Sequence, residues 1–243
     1  MGTAVTRREI KGELERFAPS YANLLPKGYT PQRLITGALI AIQANPDLAK
    51  CSPISIATAL GRIAQWGLDV GETAHLIPFG TVCTPSADYK GLIKLMLRAG
   101  ARKVEAEVVR EGDQFHYERG LNPILQHRPQ AKPEARITHA YAIAWLRGGD
   151  TLFEVMTAEE IDAIRKSKSR SWKNGDLTRW YARKCVTRQL AKWLDKSPEL
   201  AAVVAHDDQP IAAIPSGATL VDVVTQEGEV LEAQVDEGEE GAA

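Results

Sequence analysis

The segment Arg165-Lys166-Ser167-Lys168-Ser169-Arg170-Ser171-Trp172-Lys173 interleaves cations with serines and one indole. Single-stranded nucleic acid is met by such a mixture, because its phosphates take cations and its unstacked bases take flat rings. The plainer reading makes the segment a hydrated loop whose Trp172 anchors it to the core. Downstream, at 100° per residue, Lys184, Arg188 and Lys192 share a helical face with Tyr181, while Ala182, Val186, Leu190, Trp193 and Leu194 form the apolar side. Arg179 and Arg183 turn toward that apolar arc, either as paired structural arginines or as the lining of a groove. Upstream, Lys90, Lys94 and Arg98 form a basic stripe opposite Leu92, Ile93, Leu95 and Met96. A solvated helix face has the same pattern, but Arg102, Lys103 and Arg110 follow directly and favour a track for a phosphate backbone.

Other chemistries lack their residues. No glycine-rich loop ends in Gly-Lys-Ser/Thr, and GxGxxG, HExxH and GxSxG are missing, so ATPase, dinucleotide, zinc-protease and serine-hydrolase readings have no support. His75, His116, His127 and His139 are scattered and read as structural or surface groups. Glu105, Glu107, Glu111 and Asp113 cluster in sequence and are the one candidate set for a Mg²⁺ nuclease. No lysine follows them in a two-metal pattern, which favours binding over bond breaking. Cys51, Cys83 and Cys185 are too far apart for a CxxC site and too few for a disulfide framework, consistent with a reducing compartment.

The net charge of -1, from 30 Lys+Arg against 31 Asp+Glu, hides an uneven distribution. Residues 197–243 hold 11 acidic and no basic side chains, which leaves residues 1–196 with 30 basic against 20 acidic, a net +10. The stretch 162–196 alone has 11 basic and 3 acidic residues. The longest apolar runs, such as Leu39 to Ile42, fall far short of the roughly 20 residues that cross a bilayer. Met1 to Lys11 has no apolar leader core, so a cytoplasmic protein without membrane contact is expected.

Several elements must position these cations. A short helix from Arg8 to Phe17 and a loop to residue 29 are followed by helices announced by Thr30-Pro31 and Ser52-Pro53, the second ended by Gly67. A hairpin pairs Leu76-Ile77 with Thr81-Val82-Cys83 across Pro78-Phe79-Gly80. Asp88 caps a helix to Ala99, and strands are predicted at 103–111, 113–118, 136–146 and 151–156, with 120–133 a proline-bearing loop. Thr157-Ala158-Glu159-Glu160 is a capping box, a long helix spans Asp176 to Leu194, and a helical turn covers Glu199 to Val204. The fold class is α+β, an antiparallel sheet of hairpin-connected strands flanked by helices. Residues 1–29 read as an N-terminal segment and 30–206 as the core. Residues 207–243, without aromatics and rich in Ala, Gly, Val, Asp and Glu, read as a disordered acidic tail.

In order along the chain, Asn45-Pro46-Asp47-Leu48, Cys51-Ser52-Pro53-Ile54-Ser55, Ala64-Gln65-Trp66-Gly67-Leu68, His75-Leu76-Ile77-Pro78-Phe79-Gly80, Asp88-Tyr89-Lys90-Gly91-Leu92-Ile93 and Val109-Arg110-Glu111-Gly112-Asp113 resemble the RecT family of phage-type single-strand annealing proteins. Ile137-Thr138-His139-Ala140-Tyr141-Ala142, Phe153-Glu154-Val155-Met156-Thr157 and Ala182-Arg183-Lys184-Cys185-Val186-Thr187-Arg188 continue the resemblance, which spans roughly residues 30–205. It implies an ATP-independent protein that binds single-stranded DNA, forms rings or helical filaments, and anneals complementary strands. It also implies a partner 5′-to-3′ exonuclease, with a host single-strand-binding protein a further candidate partner, and a phage or prophage origin within a bacterial cell. Tyr89, Lys90, Gly91, Arg110, Arg183, Lys184 and Arg188 carry over from the family's motifs. The full candidate DNA-binding set is Tyr89, Lys90, Lys94, Arg98, Arg110, Lys166, Lys168, Arg170, Trp172, Arg179, Tyr181, Arg183, Lys184, Arg188 and Lys192. No cofactor is expected, with Mg²⁺ a candidate modulator of DNA binding. Pro85 departs from the family pattern and predicts an edge or bulged strand at that point. The competing function is a passive coat on single-stranded DNA that does not promote pairing.

Overall fold

A computed structural model of the chain describes residues 7–168, 177–194 and 197–208. These fall into two compact units, one of residues 7–87 with 206–208 and one of residues 88–205. The division lies within the stretch 30–206.

In the first unit, α1 (Arg7–Arg16), α2 (Ala18–Leu24) and α3 (Pro31–Ala44) gather around α4 (Pro53–Trp66). The caps sit where the sequence places them. Thr30 Oγ1 accepts from the Arg33 amide and Ser52 Oγ from the Ser55 amide, each followed by proline at the first helical position. Gly67 ends α4 at φ 61°. The α2 segment, expected to be a loop, is helical: Pro19 stands in its first turn, where a missing amide costs nothing, and Tyr21 is buried. Ser55, Ile56, Ala57, Leu60, Ile63, Ala64 and Trp66 are buried, so α4 is the centre of this core. Tyr21 closes over it and donates its hydroxyl to the Ala57 carbonyl at 3.1 Å. Gly37 on α3 lets the chain pass closely, since a Cβ there would stand 3.0 Å from Val70 Cβ.

The hairpin of this unit pairs β1 (Ala74–Phe79) with β2 (Val82–Ala87). Pro78 and Phe79 belong to the strand, and the turn is Gly80-Thr81, with Gly80 at φ 62°. Pro85 stands opposite Leu76 in unbroken register, so this is an edge strand without a bulge. Ser55 Oγ fastens the hairpin to α4 by accepting from the Cys83 amide at 3.0 Å.

In the second unit, α5 (Tyr89–Arg98) starts at Asp88, which accepts from the Gly91 amide at 2.8 Å. A three-stranded antiparallel sheet is ordered β3 (Ala101–Arg110), β6 (Ile137–Leu146), β7 (Thr151–Thr157). A separate ribbon, β4 (Gln114–Glu118) with β5 (Ile124–Arg128), is inserted between β3 and β6. Residues 120–133 are therefore not all loop. Pro123 and Pro129 bracket β5 from immediately outside, where no ladder amide is needed, and the strand between them alternates half-buried with exposed residues.

Strand alternation sorts the sheet into two faces. Val104, Ala106 and Val108 lie beside Ala144, Ala142 and Ala140 on one, and Lys103, Glu105, Glu107 and Val109 lie beside Trp145, Ile143, Tyr141 and His139 on the other. The capping box at α6 (Ala158–Lys168) is formed in both directions, with Glu160 accepting from the Thr157 amide at 2.7 Å and Thr157 from the Glu160 amide at 3.2 Å. Helix α7 (Arg179–Ala191) contacts β3, β6, β7, α5 and α6, and α8 (Pro198–Asp208) follows. The α+β class and antiparallel pairing hold, in three sheets among the described residues. Residues 209–243, most of the expected tail, lie outside the described residues, and the tail's first two positions complete α8.

Candidate nucleic-acid interface

Charged and aromatic side chains come together where α5, α7 and β3 pack against one another. Glu107 projects from β3, and its carboxylate receives two arginines of α7. Arg179 engages it with two nitrogens, Nε to Oε1 at 3.1 Å and Nη2 to Oε2 at 2.8 Å, and Arg183 Nη2 bonds Oε2 as well. A second nitrogen of Arg183 donates to the Tyr89 hydroxyl at 3.4 Å, and its guanidinium lies 5.4 Å from the centre of that ring. The Val108 amide donates to Glu107 Oε1 at 2.9 Å. Partial burial pushes the Glu107 carboxyl up, but the hydrogen bonds from Arg179, Val108 and Arg183 outweigh it and hold the group below its ordinary range. Of the two readings for Arg179 and Arg183, the structure shows the pair sharing one acid.

Exposure separates the members. The Arg179 side chain is 54% accessible, Glu107 32% and Arg183 16%. Next to Arg179, Trp180 is 48% exposed and meets Tyr181 edge-on at 5.7 Å. Lys90 and Arg98 are exposed on α5, Lys94, Tyr89, Tyr181 and Lys184 are half-buried, and Lys192 is exposed just beyond α7. An exposed indole beside cations on a helix that is fixed to a sheet can stack a base and hold its phosphate. The basic stripes of the sequence do not single out Trp180, whose only signal there is the i, i+4 spacing to Lys184.

Other candidates fall elsewhere. Arg188 is buried, 7% exposed, not on a solvent face with Lys184 and Lys192. Helical periodicity assumed one covered side, whereas α7 is covered from several directions, so Cys185, Val186, Thr187 and Arg188 are all enclosed. Trp193, expected in the core, is 70% exposed, because α7 ends at Ala191 and the helical phase no longer applies to it. Arg110 donates through Nη1 to the Ala135 carbonyl at 2.5 Å and braces the loop before β6. It also lines a cavity of about 440 Å³ with Arg136, Glu159 and Asp162. Lys166 pairs with Asp162 at 2.6 Å within α6. Lys168 is the last residue of α6, and Arg170 and Trp172 lie outside the described residues.

The four acids of the β3 region do not converge. Glu105 pairs with Lys103 at 2.5 Å, Glu111 with Arg136 at 3.7 Å and Glu107 with the arginines. The Asp113 side chain is enclosed at the start of the β4–β5 ribbon. Its oxygens accept from the amides of Arg110, Gln130 and Ala131 at 2.7–2.8 Å and meet His127 Nε2 at 3.1 Å, while His127 Nδ1 lies 3.2 Å from the Tyr141 hydroxyl. Desolvation raises the Asp113 carboxyl, but these amides and the His127 bond hold it far below the ordinary range. Phe115 stacks on Tyr141 at 5.9 Å and touches His127 and His139, fixing the ribbon to the sheet. Among the described residues no three metal-ligating side chains come together, and no helix is long and apolar enough to cross a membrane.

The chain matches the RecT family over residues 32–219. It is 36% identical over 216 residues to the protein RecT of Escherichia coli K12, an alignment that covers 82% of this chain and 80% of that one.

Proposed function

The chain belongs to the RecT family, whose members are single-strand annealing proteins of recombination, and from that premise we propose that it binds single-stranded DNA on the α5–α7 face and anneals complementary strands without ATP. The observation that carries the reading is the gathering of Arg179 and Arg183 on Glu107 where α7 packs on α5, with exposed Trp180 next to Arg179 and exposed Lys90 next to Tyr89 along the chain. Phosphates take the cations, one base stacks on Trp180, and the remaining base edges stay open to a second strand. No covalent bond changes. Base pairing supplies the driving force, with stacking worth roughly 1.4 kcal/mol per step.

One copy covers few nucleotides, so we assign length discrimination to a homo-oligomer, ring or filament, in which weak contacts add along the strand. The partners of this scheme are the annealed duplex, a 5′-to-3′ exonuclease that exposes the strands, and a host single-strand-binding protein, in the cytoplasm of a bacterial host. Mg²⁺ enters only as a modulator of DNA binding. The test is annealing of two labelled complementary oligonucleotides without ATP. The protein is expected to accelerate pairing, and Arg179→Ala with Trp180→Ala to abolish the acceleration. Pairing slower than in buffer alone would instead mark a passive coat, and shortened strands with Mg²⁺ a nuclease.

A further inference from the structure

The geometry points to Glu107 as an internal stand-in for a DNA phosphate: its carboxylate fills the seat between Arg179 and Arg183 that a phosphodiester takes when single-stranded DNA binds, so that binding exchanges one anion for another. The inference rests on the reading of this face as a DNA-binding surface and adds how that surface is occupied when empty of DNA.

Three features carry it. Arg179 presents Nε and Nη2 to the two carboxylate oxygens in the forked arrangement by which guanidinium groups take both carboxylates and phosphates. The seat is reachable, since Arg179 is 54% and Glu107 32% accessible, whereas Arg183, 16% accessible and held by Tyr89, is the fixed half. Charge is left over as well. Two guanidinium groups face one carboxylate, and the same-face acid nearest along β3, Glu105, is engaged by Lys103. The unbalanced positive charge attracts a phosphate, and the acid must yield at least Arg179 for that phosphate to be clasped.

A purely structural ion pair makes the opposite prediction: removing the carboxylate would splay the arginines and weaken DNA binding. The exchange predicts that removing it frees them.

The experiment uses the full chain and a fluorescein-labelled oligothymidine, read by anisotropy over a salt series. Glu107→Gln, which keeps the shape, is expected to tighten binding about twofold to fivefold, the scale of one half-exposed ion pair. The slope of log affinity against log salt should steepen by roughly 0.7, because the face then carries one more net positive charge against the strand. Glu107→Ala should move both in the same direction, and in the Arg179→Ala background Glu107→Gln should lose most of its effect. Thermal melts by circular dichroism establish that each variant is folded. Unchanged or weaker binding by both folded variants, with wild type and Arg179→Ala differing, overturns the exchange and leaves the DNA-binding face standing. Absence of oligothymidine binding by wild type overturns the face itself.

Discussion

Glu107 and Asp113 stand a few residues apart in an acidic stretch, yet their surroundings are opposite. Glu107 is half-open, meets side-chain cations, and shares them with solvent. Asp113 is 3% exposed in its side chain and is satisfied mainly by backbone amides, which cannot rotate away. A carboxylate held by long side chains can change partners, whereas one held by the chain itself fixes the loop it sits in. The first arrangement suits a surface that captures and releases a ligand, and the second suits a joint between a ribbon and a sheet.

The largest test of this contrast is Asp113→Asn, which puts an amide where donors converge. It should lower stability by about 2–4 kcal/mol in urea unfolding at neutral pH. Because the folded carboxyl lies below its unfolded value near ~3.9, its stabilisation is present above that value and is lost as pH falls toward the folded one. The gap between wild type and variant should therefore narrow below about pH 4; a gap constant into that range would remove Asp113 from the joint.

Trp180→Ala is expected to cost about 1–3 kcal/mol of single-stranded DNA affinity, measured by anisotropy, with stability moved by no more than about 0.5 kcal/mol. The reverse pattern would make the indole a packing residue. Tyr141→Phe, which removes the hydroxyl from His127, should lower stability by about 1 kcal/mol and leave DNA affinity alone.

Lys90→Ala should flatten the salt slope by roughly 0.7. Arg188→Ala should shift the melting temperature and leave that slope unchanged, since its side chain is enclosed. The smallest effect belongs to Lys166→Ala, whose surface pair with Asp162 should leave both the melting curve and the DNA affinity essentially unmoved.

Thr30, Ser52, Asp88 and the Thr157–Glu160 box are legible in the sequence because a cap joins residues within one turn. The basic character of α5 and α7 is legible for the same reason. Glu107 as partner of Arg179 and Arg183 is not, since those bonds join positions 72 and 76 residues apart and depend on how α7 crosses β3. Periodicity likewise identifies one apolar side of α7 but does not count its neighbours, and Arg188 is enclosed by a cover the helical wheel cannot display. Strand β5 was obscured by its flanking prolines, which mark its limits and not its absence.

The hairpin of the first unit has a further consequence for assembly errors. Phe79 and Val82 close its two-residue turn as a hydrogen-bonded pair, so by alternation the Pro78–Cys83 and Leu76–Pro85 pairs direct their remaining backbone groups outward. Each rim thus lacks a donor where a foreign strand would need one, Pro78 on one side and Pro85 on the other. Two copies brought together at high local density cannot zip these rims into a continuous ladder. The ribbon is sterile as a template for runaway sheet growth.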